Sequence, residues 1–186
     1  EFLPAADGTT STDLARMMDD SDCQALIVMD WHKPAELVAL QAMGIPVVVA
    51  GPYQETVPLS YVAPNDFLGA YLATRHLIEL GHSKVGLLAH RQFSRVSAER
   101  RAGWQMACGI DNGAVRKLSY YAGKAANGGG LVFAEVKAEL LAQFKQRPPP
   151  SALFARDGLF AYAGIQALAE LGIKCPDDIS ITCVGR

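Results

Sequence analysis

The feature that most constrains the fold is the regular alternation of short apolar runs with segments of helical periodicity. Residues 23–29 and 45–50 are almost continuously apolar, which is typical of parallel strands covered on both faces. Residues 34–43 and 66–80 repeat apolar positions at helical spacing, and glycines at 44 and 81 end both segments. Strand-then-helix order of this kind predicts a parallel sheet with right-handed crossovers.

The second half of the chain repeats the same order. Strands are predicted at residues 84–89, 118–121, 152–155 and 179–184, and helices at 97–108, 131–145 and 159–171. The predicted fold class is therefore α/β, with doubly wound parallel sheets. Residues 51–61 are polar, contain two prolines and predict a connector. We therefore expect two parts, residues 1–64 and 65–186.

Composition limits the functions that these 186 residues can have. Lys and Arg total 17 and Asp and Glu total 19, for a net charge of -2, which argues against nucleic-acid binding by this stretch alone. The four cysteines are widely spaced and form no C-x-x-C pair, so a zinc or redox site is not expected and a reducing compartment is favoured. No apolar run approaches the roughly 20 residues of a membrane-spanning helix.

Motifs of common enzymes are missing from the sequence. It contains no G-x-S-x-G, no H-E-x-x-H, no Walker loop and no G-x-G-x-x-G that opens a helix. His32, His76, His82 and His90 are not at metal-ligand spacings, and each is predicted to be a surface or capping residue. We therefore expect no catalytic residues, no metal and no cofactor.

A charged pair, Arg156 and Asp157, stands between the predicted strand at 152–155 and the helix that follows. An Asp directly before a helix can cap the free backbone N–H groups of its first turn. The alternative is a binding role, because ligands of open α/β sheets bind at the carboxyl ends of the strands. The two roles are compatible.

Met29, Asp30 and Trp31 hold the corresponding position after the strand at 23–29. Asp30 suits either a helix cap or a ligand contact. Trp31 is a candidate ligand contact, because an aromatic face beside polar groups suits the C–H surface of a sugar.

Arg100 and Arg101, within S-A-E-R-R-A-G-W at 97–104, are the remaining candidates from the residues alone. An arginine guanidinium can bond two adjacent acceptors at once. For either residue the alternative is an ordinary solvated charge on a helix.

Several segments together resemble the effector-binding core of the LacI/GalR (lac-repressor-type) transcription regulators. They are G-I-P-V-V-V-A (44–50), V-A-P-N-D-F-L-G-A (62–70), H-L-I-E-L-G-H-S-K-V-G-L-L (76–88), R-R-A-G-W (100–104), A-L-F-A-R-D (152–157) and L-G-I-K-C-P-D-D-I-S-I (171–181). Their order and spacing along nearly the whole chain make the match specific. The resemblance implies a two-lobed fold of the type I periplasmic-binding-protein kind, with a small ligand, often a sugar or nucleobase, between the lobes.

The resemblance also implies roles for individual residues. Arg100 matches an Arg that commonly binds the effector, and Asp157 matches an Asp that accepts hydrogen bonds from effector hydroxyls. Met29 and Asp30 fall at another strand end that often contacts ligand, and Tyr121, or Tyr120 beside it, supplies an aromatic wall.

Several positions depart from the family pattern, among them Arg156 and the pair Asn65 and Asp66. Arg156 stands where the family usually has Asn, which implies a more cationic pocket and an acidic or phosphorylated ligand. Asn65 and Asp66 reverse the usual Asp-Asn order.

The function implied by the resemblance is effector sensing for a cytoplasmic, homodimeric transcription regulator, with a sugar or related effector. Operator DNA is then contacted by a helix-turn-helix outside this chain. Residues 1–64 and 65–186 correspond to part of the N-terminal lobe and to the C-terminal lobe. The alternative is a periplasmic or extracellular sugar-binding receptor of an ABC transporter, which uses the same fold. An enzyme is the third and least supported reading.

Overall fold

A computed structural model describes residues 9–29, 34–51, 58–91, 94–109, 112–123 and 132–185. The chain divides into two compact units, Glu1–Pro64 and Asn65–Arg186.

The unit Glu1–Pro64 holds a three-stranded parallel sheet. Its elements are α1 (Ser11–Asp20), β1 (Leu26–Met29), α2 (Pro34–Ala42), β2 (Val47–Ala50) and β3 (Ser60–Val62), and the strand order is β1-β2-β3. α1 begins with a capping box, in which the Thr10 hydroxyl accepts the Asp13 N–H and Asp13 accepts the Thr10 N–H. Pro34 occupies the first turn of α2, where a missing N–H costs nothing.

The two faces of this sheet differ in their cover. Val28 and Val49 pack with Leu14 of α1 and Leu37 and Leu40 of α2 to form the buried core. On the opposite face, Ile27, Met29 and Val62 are 72%, 71% and 69% exposed.

The unit Asn65–Arg186 is a four-stranded parallel sheet with helices on both faces. Its elements are α3 (Asp66–Glu79), β4 (Val85–His90), α4 (Arg95–Cys108), α5 (Asn112–Lys117), β5 (Ser119–Ala122), α6 (Phe133–Gln146), β6 (Ala152–Ala155), α7 (Gly158–Ala169) and β7 (Ser180–Cys183), with strand order β5-β4-β6-β7. One core packs Leu88 and Leu153 under α6 and α7, and the other packs Leu87 and Phe154 under α3 and α4. The predicted doubly wound α/β class is confirmed.

Two elements differ from the sequence expectation. β3 overlaps the end of the segment 51–61, whose prolines predict a connector, and α5 lies where no helix is expected. All three residues of β3 are exposed, so the strand has no apolar periodicity to reveal it. α5 has only six residues, which is too short for a periodic pattern.

Helices α3 and α4 pack closely because Gly103 has no side chain. A Cβ at this position would overlap the carbonyl oxygen of Phe67 and lie 2.9 Å from the amide nitrogen of Tyr71. Both are backbone atoms of α3, so they cannot rotate out of the way. The glycine of R-R-A-G-W is therefore required by the contact between the two helices.

Gly103→Ala is expected to lower the free energy of unfolding by about 1–3 kcal/mol, because overpacking outweighs the better helix propensity of alanine. Urea denaturation followed by circular dichroism measures the change. If the free energy of unfolding of Gly103→Ala equals or exceeds the wild-type value, α3 and α4 can move apart without loss of stability, and the glycine is not required.

The amino ends of β6 and β7 are joined by His82. Its Nδ1 lies 2.9 Å from the Ser151 hydroxyl and its Nε2 lies 3.1 Å from the Ser180 hydroxyl. Hydroxyl groups both donate and accept, so either tautomer of the ring satisfies both contacts. His82 therefore stabilises the sheet edge opposite to the carboxyl ends of the strands.

His82→Ala is expected to lower the free energy of unfolding by about 1–2 kcal/mol, through the loss of two hydrogen bonds. Urea denaturation again measures this, with His76→Ala at an exposed position of α3 as the control. Equal stabilities of the two variants would contradict a bridging role.

The free edge of β5 is covered by polar side chains of α6 and by Arg147, the residue that follows α6. Gln143 accepts the Tyr121 N–H and donates to the Tyr121 carbonyl, at 3.2 and 2.8 Å. One turn away on either side, Glu139 accepts the Gly123 N–H and Arg147 donates to the Ser119 carbonyl. These side chains satisfy backbone groups that an open edge would offer to other strands.

Candidate functional site

The candidate site lies at the carboxyl edge of the sheet in Asn65–Arg186. All four strands are parallel, so their carboxyl ends lie along one edge. The residues that follow or end the strands include His90 on β4, Gly123 after β5, Arg156 and Asp157 after β6, and Val184 after β7. Open α/β sheets bind ligands at this edge.

Asp157 caps α7. Its backbone is extended, with φ -155° and ψ 179°, and its Oδ1 accepts the Phe160 N–H at 3.1 Å. Its Oδ2 lies 3.1 Å from Nε of Arg156. The capping role considered from the sequence is therefore present, and one carboxylate oxygen remains outside the cap.

Arg156 is held at the end of β6. Its backbone N–H donates to the Leu88 carbonyl at 2.8 Å, and its guanidinium lies 5.9 Å from the centre of the Phe160 ring. Within the described residues, its buried Nε has no aligned hydrogen-bond partner, although Asp157 is 3.1 Å away. The adjacent carboxylate offsets the charge of Arg156, so the structure gives no support to a strongly cationic pocket.

Arg100 reaches the same edge from α4. Its Nε donates to Asp66 Oδ1 at 2.7 Å, and its Nη1 donates to the carbonyls of Arg156 and Val184 at 2.6 and 2.9 Å. Its Nη2 also lies 2.7 Å from Asp66 Oδ1, and the two side chains are only 13% and 6% exposed. The solvated-charge alternative for Arg100 is therefore wrong. Arg100 bonds the residue directly before Asp157.

The adjacent tyrosines of β5 point to opposite faces of the sheet. Tyr121 is half-buried on the α4 side, and the Arg101 guanidinium lies 5.9 Å from its ring centre. Tyr120 is buried in the other core, where its hydroxyl donates to the Pro148 carbonyl at 3.2 Å. Burial raises the pKa of Tyr120, although Arg147 opposes the shift. Of these two tyrosines, only Tyr121 has enough exposed surface to contact a ligand.

The remaining sequence candidates belong to the other unit. Met29 ends β1 with its side chain 71% exposed. Asp30 and Trp31 lie outside the described residues.

Two residues of the candidate site were not expected from the sequence. His90 ends the central strand β4, is 9% exposed, and packs at 6.4 Å against the edge of the Phe160 ring. The expectation of a surface or capping role is wrong for His90, because its strand is buried along its whole length. The sequence signal that could have indicated burial of His90 is its position directly after the apolar run of β4. For Asp66, the partner of Arg100, the signal was the reversed Asn-Asp order.

The described residues contain no group of three or more His, Cys, Asp or Glu side chains that could hold a metal ion. None of the helices in the described ranges is both long and apolar enough to cross a membrane.

Comparisons with known proteins identify similar chains. Residues 74–186, more than half of the chain, match the family described as periplasmic binding protein-like domain. The repressor PurR of Actinobacillus pleuropneumoniae serotype 3 (strain JL03) is 31% identical over 156 residues, covering 84% of this chain and 45% of the relative. The regulator DegA of Bacillus subtilis (strain 168) is 29% identical over 144 residues, covering 74% of this chain and 39% of the relative. The chain thus spans about half the length of the curated relatives it matches.

Solved structures share the fold. A sugar-binding transcriptional regulator of the LacI family from Escherichia coli, complexed with phosphate, superposes with a TM-score of 0.69 at 22% identity. The match covers 97% of this chain and 65% of that structure. At this identity the likeness supports the fold alone.

Proposed function

Because the chain belongs to the periplasmic binding protein-like domain family, as a LacI/GalR-type effector-binding core, we propose that it senses a small-molecule effector for a transcription regulator. The membership confirms the resemblance drawn from the sequence motifs. The names of the curated relatives, a repressor and a regulator, favour this function over a transport receptor and over an enzyme.

The observation that carries the proposal is the meeting of three charged side chains at the carboxyl edge of the sheet. Arg100 bonds the Arg156 carbonyl, and Arg156 lies against Asp157. Asp157 uses one oxygen for the cap and has a second that can accept hydroxyl hydrogens. Such a set suits a small, hydroxylated ligand.

The proposed ligand is a sugar or sugar derivative. A sugar-binding transcriptional regulator of the LacI family from Escherichia coli, complexed with phosphate, has the same fold, which supports the proposal of a sugar or a phosphorylated sugar. Asp157 and Arg156 are the proposed polar contacts, with Arg100 beside them and Tyr121 as the aromatic wall. Met29, Asp30 and Trp31 are the proposed contributions of residues 1–64, the part assigned to the N-terminal lobe.

A thermal-shift screen tests the proposal on the purified chain, with glucose, gluconate, glucose 6-phosphate and adenine as representatives of four ligand classes. A ligand present at 100 times its Kd stabilises the folded state by about 2.7 kcal/mol. For a chain of this size, that raises the unfolding midpoint by about 5–10 °C. No shift with any member of a broad panel of these classes would contradict effector sensing.

We also propose a cytoplasmic homodimer that contacts operator DNA through a helix-turn-helix outside this chain. Palindromic operators are bound by two-fold symmetric proteins. The α6–α7 patch (Val132, Phe133 and Tyr162) is the surface we assign to the dimer contact. Val132 and Tyr162 are 52% and 56% exposed, and the Phe133 and Tyr162 rings lie 5.2 Å apart.

Tyr162→Glu is expected to weaken dimerisation at least thirtyfold, or about 2 kcal/mol, because a charge is buried at a central aromatic position. Size-exclusion chromatography with light scattering measures the mass across a dilution series. Leu72→Glu places the same charge at an equally exposed position on α3 and is the control. A Tyr162→Glu dimer as tight as the Leu72→Glu dimer would exclude this patch.

A further inference from the structure

The hydrogen bonds of Arg100 change what this residue can offer to a ligand. A guanidinium has five N–H donors. The Nε–H and the Nη1 group donate to Asp66 and to the carbonyls of Arg156 and Val184. Within the described residues, only Nη2, which already lies against Asp66, retains a donor for a ligand. Arg100 therefore cannot present its planar fork to an effector without losing contacts inside the protein.

These contacts tie together three parts of the fold. Asp66 begins α3, Arg156 follows β6 and Val184 follows β7. β6 and β7 are neighbouring strands, and Arg100 fixes the distance between their carboxyl ends by bonding one carbonyl from each. Since Arg156 immediately precedes Asp157, the position of the Asp157 carboxylate depends on the same guanidinium.

Asp66 is the residue that holds the guanidinium in this orientation. Its side chain is 6% exposed and contacts both Nε and Nη2 of Arg100 at 2.7 Å. It is not needed as the cap of α3, because the preceding Asn65 accepts the Leu68 N–H at 2.8 Å. The reversed order of these two residues thus assigns the cap to the amide and leaves the carboxylate for Arg100. A buried Arg without its carboxylate would be an uncompensated charge.

We propose that Asp66 is a positioning residue for the effector site, acting through Arg100 to set the ends of β6 and β7 around Asp157. The proposal deepens the proposed function and rests on it for the ligand. Asp66 itself does not contact the effector. Its contribution is to keep Arg156 and Asp157 in the geometry that the ligand meets.

The first arm of the test needs no ligand. Arginine Nε–H hydrogens that are buried and hydrogen-bonded exchange slowly with water, so nitrogen-detected NMR can observe them. The wild-type chain is expected to show a protected Nε–H signal for Arg100, assigned by its loss in Arg100→Lys. Its exchange rate is expected to rise at least tenfold in Asp66→Ala. Should that variant not fold, Asp66→Asn, which keeps the side-chain size, is expected to show a smaller increase in the same direction.

The control variant is His82→Ala, which removes contacts at the opposite edge of the same sheet. It lowers stability without touching the Arg100 contacts, so its Arg100 signal is expected to match the wild type. An unprotected wild-type Arg100 signal, or one that Asp66→Ala and Asp66→Asn leave unchanged, would overturn the proposal.

The second arm measures calorimetric affinity for glucose, gluconate, glucose 6-phosphate and adenine, at a temperature where every variant is folded. Asp66→Asn is expected to weaken the binding of whichever probe the wild type binds at least tenfold, and His82→Ala to leave it unchanged. Unchanged affinity in Asp66→Asn would overturn the positioning role. If none of the ligand classes binds the wild type, effector sensing fails, and the Arg100 signal still decides whether Asp66 positions the guanidinium.

Discussion

Replacing Trp104 with alanine is expected to lower the free energy of unfolding by about 3–5 kcal/mol. Trp104 is fully buried between α4 and the sheet, and its Nε1–H donates to the Val85 carbonyl at 3.0 Å. Alanine leaves a cavity and removes the partner of a buried carbonyl. Since domains are stable by only about 5–15 kcal/mol, the variant is expected to be close to unfolding.

Urea denaturation of Trp104→Ala, Trp104→Phe and Met106→Ala measures this effect. Phenylalanine keeps most of the volume and loses the N–H, so it is expected to fall between alanine and the wild type. Met106 is on the same helix but 65% exposed, and its replacement is expected to change stability by less than about 0.5 kcal/mol. Similar losses for Trp104→Ala and Met106→Ala would contradict the burial of Trp104.

Replacing Asp157 with asparagine is expected to weaken effector binding about 30- to 150-fold, corresponding to about 2–3 kcal/mol. Asparagine caps helices as well as aspartate does, so α7 should keep its cap at Phe160. What the substitution removes is the negative charge, and hydrogen bonds to ionised acceptors are the stronger ones. The variant therefore separates the capping role from the binding role.

Isothermal titration calorimetry measures the affinity of the effector found in the thermal-shift screen, and urea denaturation measures stability. Asp178→Asn is the control, because Asp178 also accepts a backbone N–H, from Lys174, but precedes β7 at the other edge of the sheet. It is expected to bind the effector as the wild type does. If Asp157→Asn binds the effector with undiminished affinity, Asp157 has no binding role and serves only as the cap of α7.

The elements that could be predicted from the sequence are those with an uninterrupted apolar signal. The strand predicted at residues 152–155 is β6 without a change of bounds, because A-L-F-A is buried at every position. β3 gave no such signal, since its exposed residues S-Y-V are held by pairing with β2 rather than by burial. The existence of β3 depends on its pairing with β2, and the residues of β3 themselves give no sign of that pairing.

The candidate site was predictable in location but less so in chemistry. Polar residues after apolar runs correctly indicated the carboxyl edge for Arg156 and Asp157. The hydrogen bonds that Arg100 makes inside the protein could not be predicted. Two of its acceptors, the carbonyls of Arg156 and Val184, lie 56 and 84 positions away along the chain. The neutralisation of the Arg100 charge by Asp66 could not be predicted either, because the two side chains meet only when α3 and α4 pack together.

The most direct measurement is an NMR titration of the chain with the effector identified in the thermal-shift screen, following backbone amide signals. Binding at the carboxyl edge is expected to shift the amides of His90, Gly123, Asp157 and Val184 and to leave those of His82, Ser151 and Ser180 unchanged. Shifts confined to the second group, at the amino edge of the same sheet, would contradict a site built around Asp157.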